Sequence, residues 1–364
     1  MELCRIIIAL SFCLAACGSA GGAPSATQSS ADAGVTRDAD ALVDAAETSA
    51  DAAAAADAPT DAATRTQTTI SVVDHNETRL DDYPIDGKGN VSPIRSLSYT
   101  TFINDVAYDK DGYLYVADYL PAYGFHGGGV VVFYPDSKNG DAPAAKMGGD
   151  ANSPPFFYYA IAGMAIAPDG KLATTDIHDA SGTVVPRVLV FSISGHNTLT
   201  LVHQISGSTK TKLVGQQRVP MTFDAKGNLY VTTPDGFIAF APDAEGDTWP
   251  IRYVTGRRQP SSIAVDSQGL VYLSVDFDGI EIFATNAFSN AEPMAKIAGP
   301  STQMSQARAI ALDSMDYLYV LNPDTNARRL LVFPPGAHDD AAPTRVIEGP
   351  GTNLENSATS LVVH

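Results

Sequence analysis

One pattern of apolar and polar positions recurs along the chain. An apolar strand is followed by Asp-x-x-Gly and then by a second apolar strand with a Leu-Tyr-Val core. Its five copies are residues 106–116, 164–172, 221–231, 263–273 and 310–320. The turn positions Gly112, Gly170, Gly227, Gly269 and Asp316 lie 58, 57, 42 and 47 residues apart. Glycine adopts positive φ without strain and Asp tolerates it, so each copy predicts two strands joined by a tight turn.

Two further strands follow in most repeats. The third ends in a phenylalanine, at Phe133, Phe191, Phe240, Phe283 and Phe333. The fourth is often opened by proline and closed by glycine six residues later, as in Pro143/Gly149, Pro250/Gly256, Pro293/Gly299 and Pro343/Gly349. An outer strand tolerates proline because its edge can spare a hydrogen-bond donor. Four short strands at a period near 50 predict a propeller blade rather than a solenoid.

The two ends of the repeat region complement each other. Residues 358–364 align with 307–313 as a first strand with nothing after it, whereas residues 70–73 and 93–97 read as a third and a fourth strand without the first two. The sequence therefore predicts an all-β, six-bladed β-propeller whose last blade is shared between the N- and C-terminal segments. No second strand is visible for that blade, which leaves a three-stranded blade or one that recruits residues near Thr66.

The repeat resembles that of the NHL-repeat propellers, within the gluconolactonase-like propeller superfamily. The NHL consensus runs Ile-Ala-Val-Asp, Gly, Leu-Tyr-Val-Ala-Asp/Asn, and then a strand that ends in Val-Phe. The resemblance covers about residues 68–364. It implies a channel along the propeller axis, with ligand and metal sites of related propellers clustered around one mouth of that channel.

The first residues have the features of an export signal. An apolar run at 6–16 is shorter than the roughly 20 residues that span a bilayer. It ends in Leu-Ala-Ala-Cys-Gly at 14–18, which resembles the bacterial lipobox. The resemblance implies cleavage after residue 16 and acylation of Cys17; an ordinary secretory signal is the alternative. Of the three cysteines only Cys17 would remain, so a disulfide or a cysteine metal site is excluded from the folded part.

Residues 17–66 form a low-complexity linker dominated by Ala and Asp. The segment 18–64 holds eight acidic residues and Arg37, a net charge of −7, which leaves −11 of the total −18 for residues 65–364. With few large apolar side chains, the linker is predicted to be disordered, and the propeller is predicted to span 67–364. The negative charge argues against nucleic acid as a partner. We expect a monomer attached by its lipid to the bacterial cell envelope. Gly18 and Ser19 after the cysteine favour the outer membrane.

Candidate binding residues come from the loops that enter the first strands, which share one face in propellers of this kind. They are Asn104, Asp105, Arg218, Arg308 and an aromatic loop of Phe156, Phe157, Tyr158 and Tyr159. Two guanidinium groups near the axis favour an anionic group, and the aromatic loop favours a peptide, protein or carbohydrate ligand. The alternatives are that both arginines pair with Asp105 and close the mouth, and that the aromatic rings pack between blades.

No complete catalytic constellation is present. The resemblance to gluconolactonase-like propellers implies a divalent metal held by carboxylate and Asn ligands, for which only Asn104 and Asp105 are obvious candidates. His126 and His178 fall in neighbouring loops, but a catalytic zinc needs three protein ligands and no third histidine occupies a matching loop. We predict a non-enzymatic binding scaffold without a cofactor; the alternative is a lactonase-like, metal-dependent hydrolase or lyase. Asp118, Asp176 and Asn322, at the ends of second strands, are predicted to accept hydrogen bonds from the loop that follows.

Overall fold

The alternating apolar positions of the repeats build six four-stranded antiparallel sheets, which confirms the predicted six-bladed propeller. The computed structural model describes residues 68–76, 78–99, 102–119, 128–148, 161–178, 184–215, 218–275, 278–324, 328–354 and 358–364. Cys17 and the predicted aromatic loop of Phe156, Phe157, Tyr158 and Tyr159 lie outside these residues. In the described part, no helix is long and apolar enough to cross a membrane.

The strands follow one another blade by blade. The N-terminal segment forms β1 (Thr69–Asp74), β2 (Arg79–Pro84) and β3 (Arg95–Ser98). Blade 1 is β4 (Phe102–Tyr108), β5 (Leu114–Tyr119), β6 (Gly128–Phe133) and β7 (Ala145–Gly148). Blade 2 is β8 (Ile161–Ile166), β9 (Leu172–His178), β10 (Val184–Ser194) and β11 (Thr198–Ser206). Blade 3 is β12 (Met221–Phe223), β13 (Leu229–Thr233), β14 (Gly236–Phe240) and β15 (Arg252–Val254).

The remaining strands complete the ring. Blade 4 is β16 (Pro260–Val265), β17 (Val271–Val275), β18 (Gly279–Phe283) and β19 (Ala295–Ile297). Blade 5 is β20 (Ala309–Leu312), β21 (Leu318–Pro323), β22 (Arg328–Phe333) and β23 (Arg345–Glu348), and β24 (Ala358–Val363) follows it. The first strands of successive blades contact one another all the way round, with β24 touching both β20 and β4.

The shared blade closes the propeller as predicted. Strand β24 pairs antiparallel with β1, with Ile70 opposite Val363 and Val72 opposite Leu361. The sheet order is β24-β1-β2-β3, so the blade has four strands drawn from both segments. At its inner end the ring of His364 stacks on Tyr108 of blade 1, with centroids 3.5 Å apart, and its Nε2 lies 3.0 Å from Ser71 Oγ.

The assignment of residues 70–73 as a third strand was wrong. They belong to β1, the second strand of the blade, and the third strand is β2, with sequence Arg-Leu-Asp-Asp-Tyr-Pro. The two adjacent aspartates of β2 argued against a buried strand, because buried carboxylates are rare unless they are paired. Both are paired here: Asp81 Oδ2 accepts from Arg79 Nε at 2.8 Å, and Asp82 Oδ2 from Arg95 Nε at 2.5 Å.

The repeated turn between first and second strands is fixed by its aspartate. Asp109 Oδ1 accepts hydrogen bonds from the backbone N–H groups of Asp111 and Tyr113, and Asp224, Asp266 and Asp313 bond the matching positions of their own turns. Gly112 has φ of 83° and Asp316, which replaces glycine in blade 5, has φ of 61°. The predicted left-handed turn position is therefore confirmed in both.

The hydrophobic core is divided among the interfaces between blades. In the described part there are six clusters of buried apolar side chains, and each joins two consecutive blades. Third strands end at Phe133, Phe240, Phe283 and Phe333 as predicted. Blade 2 differs, because β10 continues past Phe191 to Ser194 and pairs with a long β11 through a tight turn at Gly195 and His196.

Candidate functional site

A cavity of about 410 Å³ lies on the propeller axis, lined by first-strand residues of all six blades. The strand entrances contribute Asp105, Ala162, Arg218, Ser261, Ala309 and Ser360 at one end. The far ends contribute Tyr108, Ile166, Phe223, Val265, Leu312 and Val363. The channel therefore has a polar mouth above a largely apolar base, because the residue that enters each strand is polar or small and the residue that ends it is bulky.

Asp105 is the carboxylate of this mouth, and it is held by neighbours from three blades. Its Oδ1 accepts from Val106 N at 3.0 Å and from Ser360 Oγ at 2.7 Å, and its Oδ2 accepts from Met164 N at 2.9 Å. Burial raises the pKa of Asp105 above its ordinary value, against the hydrogen bond from Ser360 and the charge of Arg218. Ser360 is a partner that sequence reasoning did not assign, since it lies 255 positions away.

Arg218 spans the mouth toward the shared blade. Its Nη2 donates to the backbone carbonyl oxygen of Thr359 at 2.6 Å. Burial lowers the pKa of Arg218; the carboxylate of Asp105 opposes this effect and the positive charge of Arg308 adds to it. The two predicted arginines are thus close enough to repel each other, although they belong to different blades.

Among the described residues, few groups are placed to compensate the positive charge of Arg308. Its backbone N–H donates to Leu321 O at 2.9 Å, but in the described part of the chain its buried Nε has no hydrogen-bond partner. The hydroxyl of Thr359 is buried and unpartnered in the same sense. Among the described residues, neither arginine lies within 4 Å of a carboxylate oxygen, so the direct pairing with Asp105 that would close the mouth is not formed.

Asn104 is placed differently from the other predicted residues. Its Nδ2 donates to Ile161 O at 3.0 Å and so joins the entrances of blades 1 and 2. The side-chain amide of Asn104 is therefore engaged with a backbone carbonyl group. The aromatic loop and His126 lie outside the described residues, and their contribution to this face stays a prediction.

The second-strand ends have structural partners in the described part of the chain. Asn322 Oδ1 accepts from Ser305 N and Gln306 N, both at 2.9 Å, in the segment that precedes its own blade's first strand rather than in the loop after β21. Asp176 accepts from Arg187 Nη2 at 2.6 Å, and Asp118 lies 3.3 Å from Lys146 Nζ. The loops that follow these strands, at 120–127, 179–183 and 325–327, lie outside the described residues, so the predicted hydrogen bonds from them stay a prediction.

The donors of the channel fit a divalent metal poorly. Asp105 is the one carboxylate among the described residues that line it, its oxygens already accept three hydrogen bonds, and two arginines lie nearby. A hard cation needs several converging oxygen ligands. In the described residues, a group of possible metal ligands is formed by Asp109, Asp111 and His196. It lies at a turn between first and second strands, at the opposite end of the propeller from the mouth.

Comparison with known proteins identifies the fold and no family. No family model matches the sequence, and no curated protein resembles it significantly. A crystal structure of a protein of unknown function from Bacteroides caccae has a TM-score of 0.57 at 11% identity, covering 82% of this chain and 99% of that one. A putative oxidoreductase (glucose dehydrogenase) from Thermus thermophilus has a TM-score of 0.43 at 15% identity, covering 68% and 84%.

A further similarity is to virginiamycin B lyase from Staphylococcus aureus, with a TM-score of 0.41 at 12% identity, covering 68% of this chain and 71% of that one. The similarity to the Bacteroides caccae protein, at 11% identity, concerns the fold and not the activity. The chain is a six-bladed β-propeller.

Proposed function

We propose that this protein is an NHL-like propeller that acts as a non-enzymatic binding module and takes an anionic group of its ligand at the channel mouth. The observation that carries the proposal is that Arg218 lines the axial cavity, that Arg308 lies close enough to act on its charge, and that, among the described residues, neither has a carboxylate oxygen within 4 Å. Guanidinium groups bind carboxylates and phosphates through paired hydrogen bonds. In a domain of net charge −11, their local positive field would steer an anion to the axis.

We further propose that the module is held at the cell envelope by a lipid on Cys17. The lipobox-like sequence supports this, with a signal at 1–16, a tether at 17–66 and the propeller at 67–364. The ligand would be a peptide, a protein segment or a carbohydrate that carries an acidic group. The loop of Phe156, Phe157, Tyr158 and Tyr159 would add apolar contact beside the charged site.

Replacing both arginines, Arg218→Ala with Arg308→Ala, is expected to weaken anion binding at least tenfold. Hydrogen bonds to charged groups contribute about 1.5–3 kcal/mol each, and tenfold corresponds to about 1.4 kcal/mol. The measurement is calorimetric titration with citrate and with D-galacturonate, beside uncharged D-galactose. A matched control, Lys110→Ala with Lys138→Ala, removes two charges at the opposite end and should leave affinity unchanged. Undiminished binding together with a lower melting temperature would show instead that the arginines close the mouth structurally.

Replacing the proposed acylation site, Cys17→Ser, is expected to abolish lipid labelling, because the hydroxyl cannot take the place of the thiol in that modification. Incorporation of labelled palmitate and membrane fractionation measure the effect. Cys13→Ser is the matched control and should be labelled like the parent, since that residue lies in the segment to be removed. Labelling that survives Cys17→Ser would contradict the assignment of the anchor without touching the channel proposal.

A further inference from the structure

In blades 1, 3, 4 and 5, a tyrosine of the second strand is hydrogen-bonded to the aspartate of the turn before it, at the interface with the next blade. The hydroxyl of Tyr115 donates to Asp109 Oδ2 at 3.1 Å, that of Tyr230 to Asp224 at 3.3 Å, and that of Tyr319 to Asp313 at 3.0 Å. Tyr272 bonds Asp266 in the same way. Each tyrosine lies near the beginning of its second strand, and its side chain extends toward the turn. Its ring therefore occupies the space between its own blade and the next.

Blade 2 lacks both members of this pair. Ala165 pairs with Ala173 where Ala107 pairs with Tyr115, so Ala173 occupies the tyrosine position. Ala167 occupies the aspartate position, because its backbone makes the same turn hydrogen bonds to Lys171 and Gly170 that Asp109 makes to Tyr113 and Gly112.

A third position beside this pair, on the fourth strand, is also changed in blade 2. In blades 3 and 5, Arg252 and Arg345 on the fourth strand donate to the tyrosine hydroxyl at 3.3 and 3.2 Å. The position opposite Val190 in blade 2, which matches theirs, holds His203. Three large polar side chains are thus replaced by two alanines and a histidine.

A cavity of about 340 Å³ is lined by two of the three replaced positions, Ala167 and His203. Its walls include Ala167, Val190, Ile205, Phe223 and Leu229, from blades 2 and 3. Ala173 is buried in the same apolar cluster as Val190 and Leu229. Apolar cavities of about 150 Å³ already accept benzene, and small-molecule pockets begin at about 300 Å³, so this space holds one aromatic ring with a substituent.

Two lysines lie at the rim of this cavity. Lys171 and Lys226 both line it, together with His203 and Asp169. Asp169 pairs with Lys171, whereas in the described part of the chain the ammonium group of Lys226 has no ion-pair partner. Burial and the charge of Lys171 lower the pKa of His203, against the nearby carboxylates of Glu245, Asp243 and Asp169. Among the described residues that line the cavity, Lys226 is therefore the lysine without a paired carboxylate, at the opening of an apolar, ring-sized space.

We infer that the cavity between blades 2 and 3 is a second binding site, which takes a small aromatic acid. The ring occupies the space that a tyrosine fills in four other blades, and the carboxylate points outward to Lys226. The site is separate from the channel mouth, since it lies at the turn end of the blades. It does not depend on the proposed channel function.

The test uses 4-hydroxybenzoate, which carries the ring of the missing tyrosine and an anionic group. Calorimetry or ligand-observed NMR should show binding with Kd on the order of 0.1–1 mM, as expected for a ligand of about ten heavy atoms. Ala167→Asp with Ala173→Tyr rebuilds the pair of the other blades and should abolish binding while raising the melting temperature. Ala167→Leu narrows the same space by a smaller change and should weaken binding at least tenfold.

Two comparisons make the outcome specific. Lys226→Gln should weaken 4-hydroxybenzoate two- to fivefold, since an exposed charge contributes little, and should not alter the binding of phenol. The rebuilt variant should keep the parent's response to citrate, whatever that response is. Absence of binding up to 10 mM, or equal affinity in the parent and the rebuilt variant, would overturn the inference; the second result would place the anion elsewhere on the protein.

Discussion

Deletion of residues 357–364 is expected to remove most of the stability of the fold. It strips β24, the innermost strand of the shared blade, with its ladder to β1 and the buried side chains of Ala358 and Leu361. Loss of one buried leucine side chain alone costs about 2–5 kcal/mol, against a total of about 5–15 kcal/mol for a typical domain. The truncation also exposes the edge of β1 and the face of β20. We therefore expect aggregated or unfolded protein in size-exclusion chromatography and circular dichroism.

An internal deletion of equal length provides the control. Removing residues 50–57, in the segment predicted to be a disordered tether, should leave the melting temperature unchanged, since these eight residues are all Ala or Asp and offer no large apolar side chain. If the protein truncated at its C-terminal end melts at the midpoint of the parent, β24 is not needed to hold the ring together.

Gly163→Ala is expected to be the most damaging single methyl that can be added at the channel. A Cβ at Gly163 would lie 1.9 Å from the carbonyl oxygen of Val219, a backbone atom that no side-chain rotation can move. The two entrances are already joined by Val219 N donating to Ala162 O at 2.8 Å. Separating them costs about 3 kcal/mol, near the upper end for overpacking, and lowers the melting temperature by roughly 5–10 °C. Differential scanning calorimetry measures the loss.

The same substitution reports on the site, because Val219 follows Arg218 directly. A shift of this backbone moves the guanidinium away from Thr359 and should also weaken citrate binding. Gly351→Ala is the matched control: the atoms nearest to its Cβ belong to the side-chain amide of Asn90, at 3.0 Å, which accepts a hydrogen bond from Gly351 N and can shift more readily than a backbone carbonyl. A parent-like melting temperature for Gly163→Ala would mean that the entrances of blades 2 and 3 are not in close contact.

Much of the fold could be predicted because its determinants are local and repeated. The turn aspartates and the residue with positive φ are encoded within a few positions of each other, so five copies in phase define the blade. The pairing of β24 with β1 was also predictable, since each end of the repeat region lacked the strands that the other supplied.

The strand β2 could not be recognised from its own residues. Its two aspartates look like a loop until Arg95, on the next strand, and Ser71, on the previous one, are placed beside Asp82. The site shows the same limit. The sequence indicated that Asp105, Arg218 and Arg308 share a face, but the hydroxyl of Ser360 and the carbonyl of Thr359 reach them only through the closure of the ring.

The inter-blade cavity could be predicted from the sequence only in part. Ala167 and Ala173 can be read directly as departures from the repeat, so the missing pair is visible in the sequence. Whether neighbouring side chains collapse into the space depends on packing between blades, which a single repeat does not encode.

The shared blade also carries a kinetic consequence. Ser71 and His364, which meet across β1 and the end of β24, are 293 positions apart. Joining segments at that separation costs about 3 kcal/mol more conformational entropy than closing a hairpin loop of about ten residues. Blades 1 to 5 each form from neighbouring segments, whereas the sixth must wait for an encounter between distant parts of the chain, and non-local contacts of this kind slow folding. An open ring of five formed blades, with β1 still unpaired on its inner edge, is therefore the species most exposed to association with other copies before the last strand docks.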